Sequence, residues 1–211
     1  YNVLLLADEV INSFGRLGHW FGSEMVGVVP DLLTFAKGAT SGYAPVGGML
    51  VRRQLVDDLM DSEIGTFTHG ATWGAHPVVM ATTIANVTAM RDEGVIDNVN
   101  ANEDHFRALL AELEAGHDNI AEIRGTGYFY AVELTASRSR GEELTDEGAA
   151  KLVNDLMPDI IREAGLLLRA DLRGRPKLVL SPPLIATPSE LNELVGAVDQ
   201  IVARAAEADL T

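Results

Sequence analysis

The chain has 211 residues, 47% of them hydrophobic and 22% charged, the balance of a globular protein long enough for one large or two small domains with a good core. Its 16 Lys+Arg against 31 Asp+Glu give a formal net charge of −15, which argues against nucleic acid and anionic membranes as partners, and no uninterrupted apolar run approaches the roughly 20 residues of a membrane span. Cysteine is absent, which excludes disulfides and thiolate metal sites and fits a reducing, cytoplasmic setting.

The run Val3-Leu4-Leu5-Leu6-Ala7 stops at Asp8-Glu9, and Leu32-Leu33-Thr34-Phe35-Ala36 stops in the same way at Lys37. Short apolar runs bounded by polar residues read as buried strands of a parallel sheet covered on both faces. Tyr1 and Asn2 lead straight into the first of them, with no secretory leader ahead. Ligands of open α/β sheets bind beyond the carboxyl ends of the strands. Asp8 and Lys37, 37 − 8 = 29 residues apart, therefore stand at the functional rim of an α/β fold. An ordinary salt bridge is one reading of such a pair.

Val46–Val51 reads as a further strand, and Arg53–Ser62 as a short helix with Leu55, Leu59 and Met60 on one face. In the stretch Phe67–Pro77 two histidines, His69 and His76, lie seven residues apart without a third ligand at a recognisable spacing, so no metal is expected. Pro77 opens a helix to about Glu93, with Val78, Ala81, Ala85 and Thr88 or Ala89 on its close-packed side and Gly94 at its end. Val95–Ala115 is a second amphipathic helix. From Asn119 the period becomes two: Ile120–Arg124 and Gly127–Leu134 are strands around Gly125-Thr126-Gly127. Thr145 caps a helix to about Glu163, which Pro158 is placed to kink. Leu166–Leu168 reads as a strand ending in Arg169-Ala170, and Lys177–Ser181 as another. Thr187-Pro188-Ser189-Glu190 is a capping box opening a last helix through Leu191, Leu194, Val195, Val198, Ile201 and Val202.

Several words in one order carry a resemblance: Asp8-Glu9-Val10, Phe14-Gly15-Arg16-x-Gly18, Pro30-Asp31, Ala36-Lys37-Gly38 and Gly42-Tyr43-x-Pro45-x-Gly47. Together they resemble the signature of class III (omega-type) aminotransferases, fold-type I enzymes that use pyridoxal 5′-phosphate. The resemblance implies that Lys37 condenses with the cofactor aldehyde, that Asp8 faces the pyridine nitrogen, and that Val10 packs on one face of the ring. It assigns Thr72, in a His-Gly-x-Thr-x-x-x-His-Pro string, to the cofactor phosphate of a neighbouring subunit, and hence implies a homodimer. Ala71 stands where amine-transaminating relatives often carry an aromatic residue. Arg169 matches an arginine that binds a substrate carboxylate or moves aside, although Arg173 and Arg175 lie in the same loop.

The implied reaction moves an amino group from an amine or amino acid to a keto acid such as pyruvate by a ping-pong route. An aminomutase, epimerase or decarboxylase on the same scaffold shares the cofactor, and an inactive fragment shares the motifs. The resemblance covers the carboxyl-terminal half of a family member. It implies a missing amino-terminal half, with the part of the large domain that holds the phosphate and stacks on the ring. The expected domains are residues 1–93, the carboxyl-terminal part of the large cofactor-binding domain, and residues 94–211, a small α+β domain with an antiparallel sheet.

Overall fold

A computed structural model describes residues 3–208 of the chain. Tyr1 and Asn2, expected at the start of the first strand, lie outside the described residues. The chain divides into two compact units, residues 1–97 and 98–211.

The first unit holds a three-stranded sheet in the order β1 (Leu6–Asp8), β2 (Leu32–Phe35), β3 (Gly48–Val51). β1 and β2 are parallel, with Leu6 opposite Leu32 and Asp8 opposite Thr34. β3 returns antiparallel, so that Phe35 faces Gly48. The Phe35 ring lies where a Cβ at Gly48 would stand, which leaves glycine as the residue that fits there. The first strand is shorter and barer than the sequence suggests. Its ladder begins only at Leu6, and Val3, Leu4, Leu5 and Leu6 are all exposed, because β1 is an edge strand with a partner on one side only.

Three α-helices lie wholly within this unit among the described residues. α1 (Gly22–Met25) is a single turn, and α2 (Arg53–Asp61) forms as expected but buries none of its residues. α3 (Pro77–Asp92) starts on its proline, and Gly94 follows with φ +64°. Its packed face is not the small-residue stripe expected. Val78, Ala81, Ala85 and Ala89 are exposed, whereas Val79, Thr83, Asn86 and Met90 are partly or fully buried. The physical reason lies at Asn86, whose side chain bonds to the backbone beyond β2 and so fixes which way the helix faces.

The second unit is an antiparallel sheet in the order β4 (Ile120–Thr126), β5 (Phe129–Leu134), β7 (Lys177–Leu180), β6 (Arg169–Asp171), covered by helices. α4 (Val95–Gly116) contributes Val99, Phe106, Leu110 and Leu113, and α7 (Pro188–Ala206) contributes Leu191, Val195, Val198, Ile201 and Val202, to one core over Val132, Leu178 and Leu180. The Phe106 ring meets Tyr128 and Tyr130 edge-on at 5.8 and 5.2 Å, the geometry aromatic quadrupoles favour. The capping box at Thr187 forms: its hydroxyl accepts from the Glu190 N–H, and the Glu190 carboxylate takes the Thr187 N–H at 2.7 Å.

Two expectations are corrected here. Leu166–Leu168 is not a strand; Leu167 is fully exposed, and the ladder runs over Arg169–Asp171, with Arg169 opposite Val179. Backbone pairing to β7, rather than side-chain apolarity, sets that register. The helix capped by Thr145 is broken into α5 (Asp146–Ala150), a π segment (Lys151–Leu156) and α6 (Met157–Glu163). Pro158 cannot donate to the carbonyl of Asn154 and its ring crowds it, and a widened turn ahead of the proline accommodates the misfit.

Candidate active site

β1 and β2 end at one rim. Asp8 is the last residue of β1, level with Thr34, and Lys37 comes three residues beyond Thr34. At about 3.3 Å per residue along a strand and about 4.8 Å between strands, the two Cα atoms are roughly 11 Å apart or less. Asp8 is oriented by two donors that converge on Oδ1, the Val10 N–H at 3.1 Å and the Thr34 hydroxyl at 3.3 Å. Oδ2 has no partner among the described residues. Lys37 is exposed, sits at φ +35°, and has no ion pair among the described residues. The salt bridge that an acid and an amine on one rim would ordinarily make is therefore not formed.

The backbone beneath these groups is held in ways the sequence does not announce. Glu9 is buried, at 3% exposure. Its carboxylate accepts from Gly22 N at 2.7 Å and Ser23 N at 2.6 Å, at the start of α1, while its own N–H donates to Thr34 O at 2.9 Å. It thus ties the exit of β1 both to β2 and to the loop that follows. Glu9→Ala would leave one buried and one part-buried N–H group unpaired, at Gly22 and Ser23, and should destabilise the first unit by about 2–4 kcal/mol. Denaturant unfolding checks this, and a change below about 1 kcal/mol would contradict the role.

The loop itself is folded back by Phe14, at φ +56°, whose N–H donates to Trp20 O at 2.6 Å. The Phe14 ring packs near Phe21 and Phe35 at 5.9 and 5.8 Å. A Cβ on Gly38 would come within 2.9 Å of Phe14 Cβ, so the loop presses on the residue after the lysine. Arg16, in the same loop, has its guanidinium pKa pulled down by burial. On the other side of the lysine, Lys37–Thr40 is a 3₁₀ turn whose Gly38 and Ala39 carbonyls accept from Asn86 Nδ2 at 2.9 and 3.1 Å. Glu9 and Asn86 are the residues that motif reading missed. Their partners lie 13 and 48 residues away, beyond any local spacing.

Asp8, Val10 and Lys37 follow the exits of the two parallel strands, while the other two candidates, Thr72 and Arg169, belong to other segments of the chain. Val10 is half-buried, two residues past Asp8. Thr72 lies in an exposed turn held by Gly74 N→Ala71 O at 2.9 Å, and its side chain has no hydrogen-bond partner among the described residues. Phe67 and Trp73 are exposed in the same stretch. His69 and His76 each lie against an aromatic neighbour, Phe67 and Trp73.

Arg169 belongs to the second unit. Its guanidinium pairs with Asp171 at 2.6 Å, and Arg173 shares the same carboxylate at 2.8 Å. Arg175 pairs instead with Glu143 at 2.5 Å. Hydrogen bonds from Arg173, with the charge of Arg169 behind them, hold the Asp171 pKa well below the usual carboxylate range. A pKa lowered by folding stabilises the native state fully above the unfolded value, about 4 for an aspartate, and is lost as pH falls below it. The stability gap between wild type and Asp171→Asn should therefore be constant from pH 7 to about pH 4 and shrink only below that. Unfolding measured across that range checks it, and a gap that closes already near pH 6 would contradict it.

An acid and a lysine with no ion pair between them among the described residues thus stand at the exits of adjacent parallel strands. The comparisons carry this to a family. The aminotransferase class-III model matches residues 1–202, and the chain belongs to that family. It is 40% identical over 196 residues to a Mycobacterium tuberculosis protein named as a probable aminotransferase, and 38% identical over 195 residues to the putrescine–pyruvate aminotransferase of Pseudomonas aeruginosa. In both cases 92% of this chain is covered, and the chain spans only 41% of the relative's length. The structure of an (S)-enantioselective omega-transaminase from Thermomicrobium roseum superposes with a TM-score of 0.87 at 32% identity, over 96% of this chain and 44% of that one. The fold is that of the fold-type I pyridoxal-phosphate enzymes.

Proposed function

We propose that the full-length protein is a pyridoxal-phosphate-dependent transaminase that moves an amino group from an amine or amino acid to a keto acid such as pyruvate, in two half-reactions. The observation that carries the reading is the unpaired state of the two opposed charges. Lys37 and Asp8 share one rim, no ion pair joins them, and Lys37 keeps an unfavourable backbone angle. The cofactor, when bound, supplies an electron sink for the negative charge left on a substrate Cα.

This chain's residues do the rest. Lys37 Nζ would hold the cofactor by its aldehyde and, once an incoming amine has freed it, would take the proton leaving the substrate Cα. Asp8 would favour the protonated form of the ring nitrogen, its own position being fixed by the Val10 N–H and the Thr34 hydroxyl. Val10 supplies apolar contact to one ring face. Thr72, exposed and without a partner of its own beside Phe67 and Trp73, is suited to donate to the phosphate in a second subunit, so a homodimer is part of the reading. Arg169, parked on Asp171, is the candidate to meet a substrate carboxylate, since a guanidinium fork can grip one bidentately. Residues 1–93 are read as the carboxyl-terminal part of the large domain and residues 94–211 as the small one.

The putrescine–pyruvate relative makes pyruvate the acceptor to try first, and a cysteine-free chain fits a cytoplasmic setting. The bare apolar side chains of Val3 to Leu6 favour activity in the full-length protein, with the rest of the large domain over that strand, rather than in these 211 residues alone.

The test adds pyridoxal 5′-phosphate to purified full-length protein, fixes it with borohydride, and then screens amino donors against pyruvate. Visible absorption, a pyridoxyl mass on Lys37 and alanine formation are expected. Labelling without amino transfer would shift the assignment to another reaction on the same cofactor, and no label on Lys37 would end it.

A further inference from the structure

We propose that Asn86 is a positioning residue for Lys37: its carboxamide pins the turn from which the lysine amine is presented. The inference rests on the role given to Lys37 above. Lys37–Thr40 is a 3₁₀ turn one residue longer than a single repeat, in which the Gly38 carbonyl accepts the Ser41 N–H only at a long 3.4 Å, and so short a turn closes few of its own carbonyls. Lys37 enters it at φ +35° and Ser41 leaves it at φ +49°. Non-glycine residues keep such angles only where the surroundings over-determine them.

The constraint comes from two sides. Phe14 Cβ and the Ser13 carbonyl crowd the place of a side chain on Gly38, at 2.9 and 3.4 Å. From α3, Asn86 Nδ2 donates to two successive carbonyls, Gly38 O at 2.9 Å and Ala39 O at 3.1 Å. Ser41 Oγ donates to Asn86 Oδ1 at 2.7 Å, which fixes the carboxamide with its N–H groups toward the turn. An apolar side chain at residue 86 would pack on this face of α3 as Val79 and Met90 do, but could not hold two carbonyls. Without the clamp the turn can rotate toward an ordinary φ, and the amine then sweeps a wider arc. Reacting groups misplaced by about 1 Å lose roughly 100-fold in rate.

The experiment uses the full-length protein with pyridoxal 5′-phosphate. Asn86→Leu keeps the volume and removes the donors; Ser41→Ala removes only the hydroxyl that orients the carboxamide. Asn86→Leu is expected to reach the wild-type extent of borohydride-fixed label on Lys37. The visible band should grow in about tenfold more slowly when cofactor is added to apoprotein. Turnover should fall roughly 10–100-fold with KM for the amine within about threefold, because the approach of Nζ and not substrate binding is disturbed. Ser41→Ala should move both rates in the same direction by a smaller factor, twofold or more. A purely structural role would lower the melting temperature and leave the rate of band growth unchanged. Asn86→Leu within twofold of wild type on both rates would overturn the proposal. If Asn86→Leu fails to fold by circular dichroism, Ser41→Ala decides, twofold or more supporting and less overturning. If wild type itself puts no label on Lys37, the proposal falls together with the reading it rests on, and that result is distinct from a labelled wild type with an indifferent Asn86.

Discussion

Lys37→Ala in the full-length protein should reduce amino transfer by at least about 10⁴-fold, the largest effect expected of any single change in the chain. Two functions leave with one nitrogen. On the proposed function, a covalent anchor for the cofactor aldehyde is lost, and with it the base that would take the Cα proton. A factor of 10⁴ corresponds to about 5.4 kcal/mol of barrier, of which proton transfer by a placed base ordinarily accounts for roughly half or more. The fold should persist. Lys37 makes no side-chain hydrogen bond or ion pair among the described residues, and the turn around it is held by the backbone of Gly38 and Ala39 through Asn86. Lys37→Arg is the sharper companion, since it keeps a cation at the rim but offers no amine to condense. Both variants should unfold within about 1 kcal/mol of wild type while showing no pyridoxyl label. Turnover within tenfold of wild type for either would remove Lys37 from the chemistry.

How far such a site shows in sequence depends on which interactions made it. The rim was legible because two apolar runs end abruptly, at Asp8 and at Lys37, and a parallel sheet gives such endings a common edge. The capping box at Thr187 was legible because all its partners lie within three residues. Glu9 and Asn86 were not. Each is polar in a region that sequence pattern assigns to strand end or helix surface, and each earns its place through backbone groups far along the chain. The strand around Arg169 was displaced for the opposite reason. Three leucines look like a strand, yet the ladder to β7 takes up Arg169–Asp171, where an ion cluster on Asp171 accompanies the pairing. The apolar run before Asp8 reads as buried on both faces, and here Val3 to Leu6 are exposed: side-chain character reports the cover a strand is made for, which need not lie in the same stretch of chain.

Asp8→Asn should let the full-length protein take up cofactor and form the visible band while turnover falls roughly 10²–10⁴-fold, a loss of about 3–5 kcal/mol. The geometry makes this substitution unusually clean. Both hydrogen bonds that orient Asp8, from Val10 N and from the Thr34 hydroxyl, end on Oδ1, and an asparagine oxygen can accept both. The shape of the rim and the stability of the fold should therefore hold. What changes is charge. A carboxylate opposite the ring nitrogen favours the protonated ring, and a neutral amide does not, so the ring withdraws electrons less strongly just when the substrate Cα must carry negative charge. The loss should consequently appear in cleavage of the Cα–H bond, read as a larger kinetic isotope effect with Cα-deuterated amine, and much less in KM. Asp8→Ala, which also drops both orienting bonds, should cost stability as well as rate, and comparing the two separates the carboxylate's charge from its place in the strand exit. An Asp8→Asn enzyme with near-normal turnover and an unchanged isotope effect would mean that the acid at this rim serves the fold alone.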